Sequence, residues 1–277
     1  MQTNRYLFNH HGGFETMQND DHLDNEAINH LPHGVKLSWG IVKQQKRGPK
    51  GELSIKQIVE AAVAIADKDG LSAVSMNRVA QSLGYSAMSL YRYITSKEDL
   101  LILMQDAVCD IPIPTEGTVT DWRESMREYV RASILIFREH PWFGDIPIMS
   151  IPTTPNNLQI VDWVLRSMRD LPLNDYEKMS NILLLSSYAR SAGIIQRDLE
   201  RAVQAGSSPE SVSGFEYTAA LKQLVKPERF PDLAPIVVSG AYTGEKESEN
   251  TVGDDFDFGL ERILDGIAHY LEHKKLS

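Results

Sequence analysis

The chain has 277 residues, a net charge of −10 at pH 7 and 42% hydrophobic residues, which is typical of a globular protein large enough for two domains. No apolar run approaches the ~20 residues needed to span a bilayer, and the N-terminus lacks a secretory pattern, so we expect no membrane partner. The single cysteine, Cys109, cannot form an internal disulfide, and we therefore expect a reducing, cytoplasmic location.

The charge is segregated along the chain. Residues 43–97 contain nine Lys and Arg against four Asp and Glu, a net charge of +5, which leaves −15 for the remaining residues. A basic segment on an acidic body is typical of a protein that binds a polyanion through one part only. A solvated charged surface has the same composition, so charge by itself does not decide between these interpretations.

The first half of the chain contains an extension followed by four predicted helices. Residues 1–42 are polar and lack sustained periodicity, which predicts a mostly disordered extension, with "LSWGIV" (37–42) as a candidate docking segment. The stretch "KQQKRGPKG" (43–51) predicts an irregular basic arm. N-cap serines and apolar residues at helical spacing predict helices over 54–69, 75–83, 86–94 and 96–110.

The second half of the chain continues with helical patterns. Asp121 with Glu124 and Asn174 with Glu177 are capping pairs, and Pro155 is a typical first residue of a helix. The predicted helices cover 122–140, 155–171, 174–205, about 210–224, about 230–240 and 255–273. No segment alternates apolar and polar residues with period two, so we predict an all-α fold.

The segment 75–101, "SMNRVAQSLGYSAMSLYRYITSKEDLL", predicts a helix-turn-helix. Two short helices that are unstable in isolation flank Gly84, and the apolar stripe of the helix over 54–69 offers a surface on which they pack. The free face of the second short helix then carries small polar, arginine and aromatic side chains that suit base edges and phosphates in a major groove. These side chains are Ser86, Ala87, Ser89, Arg92 and Tyr93.

These motifs resemble the DNA-binding domain of the tetracycline-repressor (TetR/AcrR) family. "RGPK", "IVEAAVAIADKDGLSAVSMNRVAQSLG" and "SAMSLYRYITSKEDLL" carry the resemblance over 47–104, and "REHPW" and "FDFGLERILDGI" carry a weaker one over 121–274. The resemblance implies a DNA-binding domain over 43–97 and a helical ligand-binding and dimerisation domain over 98–277. It also implies a repressor that binds a palindromic operator as a homodimer and is released by a small-molecule inducer.

The resemblance assigns DNA contacts to positions in and around the helix-turn-helix. Lys97 would meet a phosphate at a helix N-terminus, and Arg47 and Lys50 would reach the minor groove or a phosphate. For each assigned residue, a solvated surface position is the alternative. The assigned residues are Arg47, Lys50, Asn77, Arg78, Ser86, Ala87, Met88, Ser89, Tyr91, Arg92, Tyr93 and Lys97.

Two further sets of residues belong to the second half. The resemblance implies that the helix from Asn174 pairs with the last helix across a dimer axis, where the interface or core residues are Leu183, Leu184, Ile194, Ile195, Leu260, Ile263, Leu264 and Ile267. The middle helices are rich in large apolar residues, which form either an ordinary core or a pocket for an inducer. The candidate pocket residues are Met126, Tyr129, Phe137, His140, Trp142, Met149, Trp163 and Tyr188.

Other functions stay open at this point. A ligand-independent DNA-binding dimer would carry the same motifs, and an enzyme with an unmarked pocket is a further alternative. We expect neither enzymatic activity nor a cofactor, because the sequence has no P-loop, no G-x-S-x-G and no cysteine cluster.

We also expect no metal site. "HYLEH" (269–273) matches a zinc-protease pattern, but nothing in the sequence marks a third ligand. The tetracycline-binding members of the family hold a magnesium–drug complex through a histidine in the segment that corresponds to "FGDIPIMSIPTT". That segment contains no histidine here, so we do not expect tetracycline or magnesium.

Overall fold

The structure is a computed structural model, and it describes residues 28–42, 53–115, 121–148, 151–208, 211–212, 214–245 and 255–276. Within these ranges every regular element is a helix, so the all-α prediction is confirmed. None of the helices in the described ranges is long and apolar enough to cross a membrane.

The α-helices follow the predicted order closely. They are α1 (His33–Ser38), α2 (Ile55–Asp69), α3 (Met76–Ser82), α4 (Ala87–Leu90), α5 (Lys97–Ala107), α6 (Trp122–Glu139), α7 (Pro155–Ser167), α8 (Asp175–Gln204), α9 (Thr218–Leu224), α10 (Leu233–Ser239) and α11 (Asp255–Leu276).

The chain divides into two compact units. The first consists of Met1–Ile113 with Asp145–Trp163, and the second consists of Pro114–Gly144 with Val164–Ser277. Residues 98–113 thus group with the helix-turn-helix, and the functional boundary at residue 97 stays a prediction.

Helix α2 is the base on which the helix-turn-helix packs. The Ser54 hydroxyl accepts the Gln57 N–H at 3.2 Å, and the Gln57 side chain accepts the Ser54 N–H at 2.9 Å, so a capping box starts the helix. Ile58 and Ala62 are fully buried, and α2 packs against both α3 and α5. Such packing of an apolar stripe stabilises a helix more than its intrinsic propensity does.

Helices α3 and α4 are joined by a tight turn at Gly84. Its φ of +77° lies in the left-handed region, which glycine adopts without strain. Helix α4 is shorter than the helix predicted over 86–94, although hydrogen-bonded turns continue to Ile94, whose N–H donates to the Leu90 carbonyl at 3.0 Å. Leu90 and Ile94 are fully buried, and this burial anchors a segment too short to be a stable helix by itself.

The extension over 1–42, predicted as mostly disordered, contains an ordered helix over residues 33–38, which is α1. Val35 and Leu37 are buried, and α1 packs against α5. A helix of six residues has too few apolar positions to produce a detectable period, so its order comes from tertiary contacts that the sequence pattern does not reveal. Residues 1–27 lie outside the described part of the chain.

Helices α6 and α8 pack against each other at the centre of the second unit. Asp121 caps α6 through the Arg123 N–H at 3.0 Å, and α8 begins with the predicted capping box of Asn174 and Glu177. The chain after α6 is fixed by α8, because Arg197 donates to the Pro141 carbonyl at 2.7 Å.

An ionic network joins α6 to α11. The carboxylate of Glu261 accepts from the Arg123 guanidinium at 2.9 Å and from the Arg127 guanidinium at 3.0 Å. Hydrogen bonds from Arg127 first, and then from Arg123, outweigh the effect of burial and lower the pKa of Glu261 from 4.5 to about 2. The network therefore favours the ionised carboxylate in the folded state.

We expect Glu261→Gln to flatten the acid dependence of stability. Because the folded pKa lies below the ordinary value, ionised Glu261 stabilises the fold above about pH 4.5, and this contribution is lost as the pH falls toward 2. Urea denaturation across this range should show a shallower fall in unfolding free energy for the variant than for the wild type. The control is Glu272→Gln, an exposed change on the same helix, which should keep the wild-type profile. Identical profiles for Glu261→Gln and wild type would contradict the role of the network.

Candidate functional site

The helix-turn-helix has one buried side and one free side. Val79, Leu90 and Ile94 are fully buried, as their spacing predicts. On the free side Met88 is 72% exposed and Tyr91 is 46% exposed. Of the other predicted DNA contacts, the exposed ones are Asn77, Arg78, Ser86, Arg92 and Lys97. The half-buried ones are Ala87, Ser89 and Tyr93.

Several polar groups on this free side are already paired. The hydroxyls of Ser86 and Ser89 lie 3.1 Å apart and share a hydrogen bond. The Arg78 guanidinium forms an ion pair with Asp69 at the end of α2. An exposed ion pair of this kind contributes little stability, about 0–1 kcal/mol, so a stronger anion can replace Asp69 at low cost.

The start of α5 lies directly after this surface. Ser96 caps the helix by accepting the Asp99 N–H at 3.0 Å, and Lys97, the first helical residue, is exposed. A lysine at the first position of a helix attracts an anion, because its charge and the positive end of the helix dipole act together.

Sequence reasoning missed one exposed aromatic residue on this surface. Tyr85 follows Gly84 in the turn and is 40% exposed. An aromatic residue between the turn glycine and a helix N-cap is the signal that could have identified it. Arg47, Lys50 and the pocket candidate Met149 lie outside the described residues.

The structure separates the predicted interface residues by burial. Leu260, Leu264 and Ile267 of α11 belong to the core of the chain itself, so they offer no free surface to a second copy. Ile194 and Ile263 are half-buried.

Helix α8, in contrast, has exposed apolar side chains. Leu183 is 68% exposed and shares a helix face with Tyr176 and Met179 at i, i+3 and i+7 spacing. The sequence analysis did not single out Tyr176 and Met179, although the same period applied in reverse would have found them. Further along α8, the exposed apolar residues are Leu184, Ile195, Leu199 and Val203.

Most of the predicted pocket residues are buried. Met126, Tyr129, Phe137 and Trp142 belong to the second unit, whereas Trp163 belongs to the first, and His140 is half-buried. The rings around the end of α6 are packed together, with 5.3 Å between the centroids of Phe137 and Phe143 and 6.2 Å between those of Trp142 and Phe143. This packing is that of a core.

A cleft of about 280 Å³ lies in the second unit between α6, α8 and α11, and Tyr188 is the one predicted pocket residue in its lining. Ile134 and Phe256 supply apolar surface, and Arg131 and Arg138 supply charge. Arg131 pairs with Asp257 at 3.2 Å, and Arg138 pairs with Glu200 at 2.8 Å.

Two short helices joined by a tight turn, the first packed on α2 and the second with exposed residues on its free side, define a helix-turn-helix DNA-binding protein. The family model for bacterial regulatory proteins of the tetR family matches residues 58–104, and the model for the tetracyclin repressor-like C-terminal domain matches residues 113–271. The chain therefore belongs to the tetR family, which confirms the resemblance found in the sequence.

Relatives with known roles are regulators. The chain is 33% identical over 238 residues to the HTH-type transcriptional repressor DrrR1 of Streptomyces coeruleorubidus, and the match covers 84% of each protein. It is 21% identical over 236 residues to the tetracycline repressor protein class E of Escherichia coli, which covers 80% of this chain and 94% of that protein.

The fold is also similar to that of solved structures of the family. The TetR family protein ActR of Streptomyces coelicolor, in complex with actinorhodin, has a TM-score of 0.65 and 27% identity and covers 79% of this chain and 96% of its own. The protein described here is a DNA-binding transcription regulator of this family, and the relatives are regulators rather than enzymes.

Proposed function

We propose that this protein is a repressor that binds a palindromic operator as a homodimer and leaves it when a small-molecule inducer binds. The observation that carries the proposal is the free face of α4 and of the turn that follows it, which exposes Met88 on the helix and Tyr91 and Arg92 in the turn. In this arrangement α4 enters the major groove and Lys97 contacts a phosphate.

The homodimer follows from the size of the recognition surface. A single four-residue recognition helix contacts too few base pairs for specificity, and two copies read two half-sites about 34–36 Å apart. The exposed face of Tyr176, Met179 and Leu183 on α8 supports the proposal, because large apolar side chains at this exposure gain free energy when a second copy covers them.

We place the inducer in the second unit. ActR has been crystallised with actinorhodin, and this chain resembles ActR over most of its length. The cleft beside Tyr188 is lined mainly by apolar side chains, and its two arginines are paired with Asp257 and Glu200, which suits an apolar ligand with few polar groups. The inducer would favour a conformer whose recognition helices have the wrong spacing, and a coupling of about 1–3 kcal/mol would lower operator affinity about 5–150-fold.

The decisive experiment is selection of bound sequences from random duplex DNA by the purified protein. We expect a palindrome with a fixed half-site spacing, followed by release in a gel-shift assay when the correct member of a metabolite panel is added. Selection of a single, asymmetric half-site would exclude the palindromic dimer. A palindrome that no metabolite releases would support a ligand-independent dimer instead.

Lys97→Ala is expected to weaken binding to all DNA sequences alike. Loss of one phosphate contact makes the slope of log affinity against log salt shallower by about 0.9 per half-site. Fluorescence anisotropy at several salt concentrations measures this slope. Lys226→Ala makes the same charge change at an exposed position of the second unit and should leave the slope unchanged. If the Lys97→Ala slope equals the wild-type slope, Lys97 does not contact a phosphate.

Leu183→Arg is expected to disrupt the dimer. A charged side chain at the centre of an apolar interface leaves an unpaired, desolvated charge in each copy. Sedimentation analysis should show a monomer, and operator affinity should fall because only one half-site is held. Leu224→Arg, at a position that is 72% exposed on α9, is the matched control and should remain dimeric. A dimeric Leu183→Arg protein would remove this face of α8 from the interface.

A further inference from the structure

The N-terminal helix α1 precedes both family matches, which begin at residues 58 and 113. It nevertheless packs against α5, and Val35 and Leu37 are 3% and 4% exposed. An isolated helix of six residues does not persist in water, so the contact with α5 is what orders this segment.

Glycine at position 34 allows the two helices to approach closely. A Cβ atom added to Gly34 would lie 2.9 Å from the Asp99 Cα and 3.1 Å from the Ile102 Cβ. The first of these atoms is backbone and cannot turn away, so a side chain at position 34 pushes α1 off α5. The sequence of α1 is thus suited to a close contact with the first turns of α5.

A buried polar cluster connects the same two helices. The Asp99 carboxylate, which belongs to a 6% exposed residue, accepts from the Thr95 hydroxyl at 2.6 Å and lies 3.2 Å from the His33 Nδ1. Burial by itself raises the pKa of Asp99, but the hydrogen bonds from Thr95, Ser96 and His33 outweigh it, and the pKa is lowered. Helix α1 therefore helps to solvate a buried carboxylate at the beginning of α5.

The segment after α1 is fixed as well. The Trp39 Nε1–H donates to the Thr153 carbonyl at 2.8 Å, next to the start of α7. At the other end of α5, the Asp106 carboxylate accepts the Asn156 N–H at 2.9 Å. Within the first unit, α1 and the start of α7 thus hold both ends of α5.

We propose that α1 and Trp39 are a positioning element for DNA binding, which holds the first turn of α5, and with it Lys97, in the orientation that meets a phosphate. This inference rests on the proposed function. His33 and Gly34 act through α5, and Trp39 acts by fixing the end of α1 to the segment before α7, so none of the three needs to touch DNA.

The test uses the full chain and the selected operator. Gly34→Leu should lower operator affinity at least about fivefold, the lower end of typical coupling between sites. Ala220→Leu is the control, since Ala220 is exposed on α9, outside the proposed interface, and it should bind as the wild type does. Removal of residues 1–42, which leaves the basic arm in place, should reproduce the Gly34→Leu effect.

A double-mutant cycle separates positioning from general loss of stability. If α1 acts through Lys97, the double variant Gly34→Leu/Lys97→Ala loses less operator affinity than expected for independent changes. Its fold-loss is then clearly smaller than the product of the fold-losses of the two single variants. Independent effects that multiply would overturn the proposal, and so would wild-type affinity in both Gly34→Leu and the deletion. If circular dichroism shows that these variants are unfolded, His33→Ala in the same cycle decides, because it removes one hydrogen-bonding group and leaves the apolar contact intact.

Failure of the proposed function gives a different result. In that case the wild-type protein itself selects no duplex, and the role of α1 in DNA binding is refuted with it. When the wild type binds but the α1 variants bind equally well, the positioning role alone is refuted.

Discussion

The burial of Val79, Leu90 and Ile94 is the constraint on which the first unit depends. These side chains are fully buried. Helix α4 packs against α3, and α3 packs against α2, which has its own capping box and apolar stripe. Because one side of a four-residue helix is fixed in this way, its other side can carry exposed residues without losing its conformation. A recognition surface of this kind needs a rigid support, since its own backbone hydrogen bonds are too few to define it.

The position of α5 depends on that of α4. The turns that follow Leu90 lead within a few residues to Ser96, so the position of the α5 N-terminus and that of the recognition residues are linked along the chain. Helix α1, which precedes the helix-turn-helix in the sequence, contacts the N-terminus of α5 through Gly34 and through the hydrogen bond between His33 and the carboxylate of Asp99. The ordered unit that contains the helix-turn-helix therefore includes residues well outside that motif.

The second unit adds ionic contacts between helices to its apolar core. Glu261 accepts from two arginines of α6, and Arg197, which is buried, binds the carbonyl after the same helix. These paired charges fix the relative position of the helices, and their desolvation penalty is modest because each buried group keeps its hydrogen bonds. The exposed apolar side chains of α8 are not covered by the described part of the chain, and we propose that a second copy covers them.

The sequence by itself determined the helical fold, the helix-turn-helix and the family. Local signals were sufficient for these: Ser54, Asn174 and Gly84 start or stop segments through their own hydrogen bonds and backbone preferences, and an apolar stripe identifies a helix wherever it lies. Tertiary structure alone decided which apolar residues are covered. Leu264 and Leu183 look alike in the pattern, yet one is fully buried and the other is 68% exposed. A period reveals that a face is apolar but not what covers it, and for the same reason only the folded chain shows that α1 is a helix held against α5.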